Sequence, residues 1–199
     1  IYLNLRMKLE TISPIKALNK AYYKQSISRN DIDLFKTQLK RLFDRINEKE
    51  SEEHLKNIVS DFLKETYYKQ KYEVNTKGRN DLVIYNGITS DSPVAVIIET
   101  KRPGSPEMIS KDKPNNKALH ELMLYYIVER FEHNNKELKY LIATDIYNWY
   151  IFDAILFERF FAKNQNFVDS YKKWKSGMLV DNTTEWFYKE IAKEHLYNN

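Results

Sequence analysis

The stretch DLVIYNGITSDSPVAVIIETK, which runs from Asp81 to Lys101, contains two apolar runs separated by a turn-like segment. Asp81 precedes the first run, while Glu99 and Lys101 stand at the end of the second. The residues between the runs include Asn, Gly, Asp, Ser and Pro, which are typical of turns. This pattern predicts an antiparallel hairpin whose two strands carry charged residues at the same end.

The simplest register of this hairpin contains four pairs: Asn86 with Val94, Tyr85 with Ala95, Val83 with Ile97, and Asp81 with Glu99. Paired residues on one face have Cβ atoms about 4.5–5.5 Å apart, and the two-residue period returns Lys101 to that face. We therefore expect two carboxylates and one ammonium to converge. Carboxylates this close repel each other unless a cation lies between them, and a divalent metal is the obvious candidate.

An alternative interpretation is that Asp81 and Glu99 are solvated strand ends. Charged residues make up 30% of the chain, so a Glu-x-Lys triplet alone carries little weight, and a second such triplet begins at Glu137. That triplet precedes its strand and has no acidic residue opposite. The paired geometry at the hairpin therefore favours a site over two unrelated charges.

The composition argues against several other kinds of site. The 199 residues include no cysteine, which excludes disulfides, a thiol nucleophile and cysteine-bound zinc. Four isolated glycines argue against a Gly-rich phosphate loop. No apolar stretch approaches the roughly 20 residues of a membrane span, so we expect no membrane partner. The net charge of +4 tolerates a polyanionic partner without requiring one.

Hydrophobic periodicity and turn signals predict the order of elements along the chain. The predicted strands are 72–76, 81–85, 94–100, 139–144 and 149–152, and the predicted helices are 13–25, 30–46, 51–66, 116–133, 154–162, 167–174 and 184–196. This order predicts an α/β (α+β) fold with a central mixed sheet flanked by helices. We divide it into N-terminal helices (1–50), a core (51–163) and C-terminal helices (164–199), within one compact domain.

Asp81, seventeen further residues and then Glu99-Thr100-Lys101 resemble the motif of the PD-(D/E)XK nuclease superfamily, with Asn80 in place of the usual proline. More of the chain resembles the N-terminal nuclease domain of type IIG restriction-modification enzymes. Several blocks carry this resemblance: SPIKALNKAY, ESEEHLKNIVSDFLKETYY, NTKGRNDLVIYNG, VAVIIETKRP, NKALHELMLYY and TDIYNWYIFDA. The resemblance implies a restriction-endonuclease-like core and Mg²⁺-dependent hydrolysis of DNA phosphodiester bonds.

The resemblance also assigns roles to the hairpin residues. Asp81 and Glu99 would hold Mg²⁺, with the backbone carbonyl of Thr100 as a third ligand, since oxygen ligands and retained waters suit this ion. Lys101 would orient the attacking water or stabilise charge that develops on the phosphate.

Further candidates lie on the neighbouring helices. Many superfamily members add an acid from the helix before the hairpin, which is Glu52 or Glu53 here. Glu52 borders the apolar stripe of that helix, so we prefer it, although an ordinary solvated pair of glutamates is an equal alternative. Relatives often carry Gln and Tyr on the helix after the hairpin, where this chain has His120 and Tyr125. His120 is a candidate phosphate neighbour, with an ordinary helix-surface histidine as the alternative.

Double-stranded DNA is the expected partner, and one basic helix face supplies candidate contacts: Lys36, Lys40, Arg41 and Arg45. A solvated charged face is the alternative interpretation. Type IIG enzymes also contain a methyltransferase, which binds S-adenosylmethionine, and a target-recognition domain. This sequence lacks a Pro-Pro-Tyr motif, so we expect a fragment that holds only the cleavage domain of a cytoplasmic bacterial or archaeal enzyme. The alternatives are a non-catalytic DNA-binding or assembly module with a nuclease fold, and a nuclease of repair or mobile-element type.

Overall fold

The structure is a computed structural model that describes residues 10–47 and 50–198. Residues 1–9 and 48–49 of the predicted N-terminal unit lie outside the described residues, as does residue 199. Within the described ranges, no helix is both long and apolar enough to cross a membrane.

A five-stranded sheet forms the centre of the fold, in the order β1-β2-β3-β4-β5. Its strands are β1 Val74–Lys77, β2 Asn80–Tyr85, β3 Val94–Thr100, β4 Tyr140–Thr144 and β5 Trp149–Asp153. Strands β3 and β4 are parallel, and the other neighbouring strands are antiparallel. A parallel pair needs a crossover connection, which the long helix between β3 and β4 supplies.

Helices cover both faces of this sheet. They are α1 Pro14–Ala17, α2 Arg29–Asp44, α3 Glu52–Leu63, α4 Lys117–Phe131, α5 Ala154–Phe157, α6 Gln165–Lys175, α7 Thr184–Trp186 and α8 Lys193–Asn198. Single π-helical segments continue α3, α5 and α7 at Lys64–Tyr68, Glu158–Ala162 and Phe187–Ala192. The fold is therefore α+β, with a mixed sheet flanked by helices, and the predicted class is confirmed at this level.

The first predicted helix, 13–25, is wrong as a continuous element. It is divided into α1 and a 3₁₀ turn at Lys20–Lys24, because Leu18 and Asn19 have extended backbone. The Asn19 side chain accepts a hydrogen bond from the Ala21 amide and so caps the second piece. Helices depend on packing of an apolar face for most of their stability, and Ile15 in this segment is exposed.

The two faces of the sheet belong to different apolar cores, because alternate residues of a strand point to opposite sides. Leu82 and Ile98 pack in the core that contains α2 and α3. Val83 and Ile97 pack in the core that contains α4. The second core also includes residues of the C-terminal helices: Phe167, Tyr171, Trp174, Phe187 and Leu196. Each fully buried Leu or Ile side chain stabilises the fold by about 1.5–3 kcal/mol relative to exposure.

Candidate active site at the end of the hairpin

The β2–β3 hairpin has the predicted register at the end that carries the charges. Val83 pairs with Ile97, and this register, continued by two residues, sets Asp81 opposite Glu99. Lys101 follows Glu99 by two residues, so the three charged residues share the sheet face that meets α4.

Near the turn, the predicted register is wrong by one residue. Tyr85 pairs with Val94 and not with Ala95, because a β-bulge shifts the ladder at this point. Ala95 is the extra residue, and its carbonyl accepts a hydrogen bond of 2.8 Å from the amide of Lys139, just before β4. The predicted pairing of Asn86 is lost for the same reason. The bulge lies at the far end of the strands and leaves the charged end unchanged.

Asp81 is held by the opposite strand of the hairpin. Its Oδ2 atom accepts two hydrogen bonds from Thr100, one from the backbone N–H at 3.0 Å and one from the hydroxyl at 2.8 Å. Thr100, which stands between Glu99 and Lys101 in the sequence, is itself buried. The two bonds fix the Asp81 carboxylate beside the end of β3.

Lys101 lies between two buried carboxylates. Its ammonium donates a hydrogen bond to Oε1 of Glu99 at 2.6 Å and lies 2.7 Å from Oε2 of Glu121 on α4. The side chains of Lys101, Glu99 and Glu121 are 4%, 2% and 10% exposed. Charges that are shielded from water in this way interact more strongly than charges at the surface.

The two glutamates resist ionising together. Burial raises the pKa of Glu99 well above its ordinary value, and the charges of Glu121 and Asp81 raise it further, while Lys101 opposes the shift. Burial likewise raises the pKa of Glu121 against the effect of Lys101. For Lys101, burial lowers the pKa, but the two glutamates outweigh burial and its pKa is raised overall. Lys101 therefore keeps its charge, which offsets part of the cost of burying the two carboxyls.

Two carboxylate oxygens of this cluster are buried without a hydrogen-bond partner, and the first is Oε2 of Glu99. Oε2 of Glu121 also lacks a hydrogen bond, despite its close contact with the Lys101 ammonium. A buried acceptor without a partner is costly and is suited to a cation. Within the part of the chain that the structure describes, no three His, Asp or Glu side chains are grouped to hold a metal. Asp81 and Glu99 supply two carboxylates, which are the kind of oxygen ligand that Mg²⁺ takes together with retained waters.

Two buried tyrosines, Tyr125 and Tyr188, lie near the cluster. Burial raises the pKa of Tyr125, and the charges of Glu99 and Glu121 raise it further. Burial and the same two glutamates also raise the pKa of Tyr188, which follows α7. The predicted DNA contact Tyr125 is thus buried beside the acidic cluster and not displayed at the surface, and the C-terminal part of the chain helps to enclose the site.

An ion pair marks the point where the cluster meets solvent. Glu107 and Lys117 approach to 3.2 Å, and their side chains are 39% and 33% exposed. Glu107 also lies 3.9 Å from the ammonium of Lys101. The rim of the site is therefore formed by the loop after β3 and by the first turn of α4.

The structure brings an acid from α4, Glu121, into the cluster, and the contribution of Glu52 or Glu53 from α3 stays a prediction. Helix α3 packs on the opposite face of the sheet. Glu53 is exposed there and pairs with Lys56 of the same helix. Glu52 is half-buried in the first turn of α3.

A signal in the sequence could have found Glu121. It is the acid within the apolar run ALHELMLYYI, and it precedes Tyr125 by four residues, so both lie on the same helix face. An acidic residue in a helix that is apolar on most sides requires a buried partner. Periodicity gave no indication, since α4 is buried around most of its circumference.

His120 is also corrected: it is buried and not on the helix surface. Its Nε2 atom lies 2.6 Å from Oδ1 of Asn115. Burial lowers the pKa of His120 to about 4, and the positive charge of Lys193 acts in the same direction, while Glu185 opposes it. This histidine therefore faces the C-terminal helices, and its ring nitrogen is engaged by Asn115.

The predicted basic face of α2 lies on the other side of the sheet from Glu99, because α2 packs with α3. Lys36, Lys40 and Arg41 are exposed there, whereas Arg45 is half-buried and pairs with Asp61 at 2.7 Å. Their contact with DNA stays a prediction.

A groove of about 350 Å³ lies between the β1–β2 turn, α4 and the C-terminal end of α6, and Tyr125 forms part of its wall. Two lysines in its wall are already paired with glutamates. Lys77 donates a hydrogen bond to Glu129 at 2.5 Å, and Lys175 donates one to Glu132 at 3.1 Å. These two pairs neutralise the lysines, while Arg79 also lines the groove, and we assign no ligand to it.

Comparison with known proteins identifies one family. Residues 12–198 match a family described as a domain of unknown function, DUF7149. No curated protein and no solved structure matches the chain.

Proposed function

The chain belongs to the DUF7149 family, which is described as a domain of unknown function. From the geometry of the hairpin site, we propose that it is the Mg²⁺-dependent cleavage domain of a DNA endonuclease. In this proposal the mixed sheet and its helices form a restriction-endonuclease-like core. The substrate is double-stranded DNA, and the reaction is hydrolysis of a phosphodiester bond.

One observation carries the proposal: Asp81, Glu99 and Lys101 meet at the end of a rigid hairpin, and an oxygen of Glu99 is buried without a partner. A protein gains no stability from an unpaired buried carboxylate oxygen. Costly arrangements of buried charge with perturbed pKa values are concentrated at functional sites. An acidic pair beside a lysine is the chemistry that metal-dependent phosphodiester hydrolysis uses.

Asp81 and Glu99 are the residues that would hold Mg²⁺, with the carbonyl of Thr100 as the proposed third protein ligand. The bound ion would supply a lowered pKa for an attacking water and neutralise charge on the phosphate. The hydrogen bonds from Thr100 to Asp81 orient one of these carboxylates in advance, so little reorganisation accompanies binding.

Lys101 would act on the reacting groups directly. Its ammonium adjoins Glu99, where it can hold the attacking water or interact with a phosphate oxygen as negative charge develops. The site is shielded from solvent, so a fixed positive charge has a larger effect there than at the surface. The raised pKa of Lys101, which Glu99 and Glu121 cause against the effect of burial, keeps it in the charged form that this role requires.

The biological setting that we propose is a type IIG restriction-modification enzyme in the cytoplasm of a bacterium or archaeon. A methyltransferase that uses S-adenosylmethionine and a target-recognition domain would belong to the same polypeptide. The recognition domain would select the DNA sequence, while this chain cleaves the backbone.

A second candidate function is a non-catalytic DNA-binding or assembly module with the same fold. The observation that favours it is the position of Lys101, whose ammonium already compensates Glu99 and Glu121 without any metal. DNA binding without cleavage by the wild-type protein would support this candidate.

Cleavage by the natural full-length protein, measured with Mg²⁺ and with excess chelator, tests the proposal. Asp81→Asn and Glu99→Gln should reduce the rate to less than about one hundredth of wild type, with folding retained in thermal melts. Glu65→Gln is the control: it makes the same kind of change at an exposed glutamate that pairs with Lys69, and it should retain cleavage. Cleavage in chelator, or at the wild-type rate by Asp81→Asn, contradicts the proposal.

A further inference from the structure

We propose that Glu121 is a positioning residue that holds Lys101 in place while Glu99 binds the metal. This inference rests on the proposed nuclease function and adds a fourth residue to the site. Glu121 is not expected to touch the DNA or the attacking water. It acts through Lys101 alone.

The geometry gives Lys101 two carboxylate partners of nearly equal distance, Glu99 at 2.6 Å and Glu121 at 2.7 Å. A third acid, Glu107, lies 3.9 Å from the ammonium, which is beyond hydrogen-bond distance. If Glu99 turns its oxygens to a metal, its contact with Lys101 weakens. Among the described residues that contact this ammonium, Glu121 is then the one within hydrogen-bonding distance that can keep it in place.

The location of Glu121 suits that task. It lies on α4, whose residues are buried along most of the helix, so its backbone has little freedom to move. Lys101 has a long, flexible side chain that loses considerable entropy when it is fixed. A rigidly mounted carboxylate on the helix therefore confines the ammonium at the end of the hairpin more effectively than a residue on a loop would.

The stoichiometry of the cluster argues against a purely structural ion pair. One ammonium requires one carboxylate, yet two buried glutamates contact Lys101 and a third acid, Asp81, interacts with Glu99. Each additional buried charge costs stability unless it is paired. The extra carboxylates around this single lysine are explained if Glu99 binds a cation while Glu121 keeps its contact with Lys101.

The test compares Glu121→Gln with Glu129→Gln in the natural full-length protein. Glu129 is a matched control because it is also buried on α4 and also forms an ion pair with a lysine, Lys77, at 2.5 Å. Single-turnover cleavage and DNA affinity are measured for both. Loss of an outer residue that orients a site typically costs about 10- to 100-fold in activity. We expect Glu121→Gln to lose that much cleavage rate while its DNA affinity stays within about threefold of wild type. Glu129→Gln should cleave at the wild-type rate.

A double-mutant cycle with Lys101→Ala tests whether Glu121 acts through Lys101, and thermal melts of each variant separate this effect from loss of the fold. If Glu121 acts through Lys101, then Lys101→Ala combined with Glu121→Gln should cleave as fast as Lys101→Ala alone, within about threefold. Losses that multiply would overturn the inference. If Glu121→Gln melts below the assay temperature, Glu121→Asp and Glu129→Asp replace the first pair, with the same expectations.

The outcomes separate this inference from the proposed function. A wild-type protein that cleaves DNA, together with Glu121→Gln that behaves like Glu129→Gln, overturns the role of Glu121 and leaves the nuclease proposal intact. A wild-type protein that does not cleave DNA in Mg²⁺ overturns both, since there is then no reaction for Glu121 to assist.

Discussion

Thr100 donates two hydrogen bonds to one oxygen of Asp81, from its backbone N–H at 3.0 Å and from its hydroxyl at 2.8 Å. The residue between Glu99 and Lys101 thereby orients the carboxylate on the other strand. Thr100 is buried, so both bonds form where water does not compete. The side chain of Thr100, in addition to the backbone ladder, therefore links the two strands of the hairpin.

Replacement of Thr100 by Val should remove the hydroxyl bond and retain the backbone bond. Hydrogen bonds to charged groups contribute about 1.5–3 kcal/mol, so we expect a comparable loss in the free energy of unfolding, measured by chemical denaturation. Cleavage by the full-length protein should also fall, because Asp81 is less well oriented. Thr144→Val is the control: Thr144 is buried and its hydroxyl accepts from the Ile146 amide, but it does not contact Asp81. Equal cleavage by both variants would contradict the orienting role.

Replacement of Lys101 by Met should destabilise the fold in a pH-dependent manner. Removal of one partner from a buried ion pair typically costs about 3–5 kcal/mol, and we expect a loss of this size at pH 8. Burial and mutual repulsion already raise the pKa of Glu99, so without the ammonium the folded state retains protons that the unfolded state releases above its ordinary carboxyl pKa. Stability then falls as the pH rises, and the loss should be smaller at pH 5.

Urea denaturation at the two pH values measures this effect of Lys101. Lys189→Met is the control, since Lys189 forms an exposed pair with Glu185, and exposed pairs contribute little. A destabilisation by Lys101→Met that is the same at both pH values would argue that its charge does not compensate the two glutamates.

His120 should make the protein sensitive to acid. Its folded pKa is lowered to about 4, mainly by burial and then by Lys193, whereas the unfolded imidazole takes up a proton below about pH 6.5. Unfolding is therefore favoured as the pH falls from 6.5 towards 4. Between pH 7 and pH 4.5, the stability advantage of wild type over His120→Gln should fall by about 2–3 kcal/mol. His133→Gln, at an exposed position, should follow wild type in parallel, and a parallel curve for His120→Gln would refute this assignment.

The isolated chain should bind duplex DNA weakly and without sequence preference. Its exposed cations are suited to phosphates, which carry no sequence information, and non-specific dissociation constants are on the order of 10⁻⁴–10⁻⁶ M at physiological salt. A titration with several unrelated duplexes at two salt concentrations measures this. If the basic face of α2 contributes, Lys36→Glu with Lys40→Glu should weaken binding to all duplexes and lower the salt dependence. Tight, salt-insensitive binding to one duplex would mean that this domain reads sequence itself.

The sequence predicted the hairpin well where local patterns determine structure. Two apolar runs around a turn-like segment indicate a hairpin, and Val83 pairs with Ile97 as expected. The bulge at Ala95 was not predicted, because the continuous apolar run Val94–Ile98 gives no signal for an extra residue. The continuous helix predicted near Ile15 failed for a related reason, since periodicity does not reveal whether an apolar face has anything to pack against.

The site was predicted in part. Asp81, Glu99 and Lys101 could be grouped because a single hairpin register relates them. Glu121 could not be placed in the same way, since its approach to Lys101 depends on how α4 crosses the sheet. The choice of Glu52 over Glu53 stays a prediction, because the apolar stripe of α3 gives the rotation of the helix but not the distance from either carboxylate to the hairpin.

Helix α4 is buried at eleven of its fifteen residues, and this has a consequence for native-state motion. Amide protons in such a segment exchange with solvent mainly through large-scale unfolding, not through local fraying. Glu121 is therefore carried by the part of the chain that opens least often, while Glu107 lies in the loop after β3 with 39% of its side chain exposed. We expect amide protons near Glu107 to exchange faster than those near Glu121.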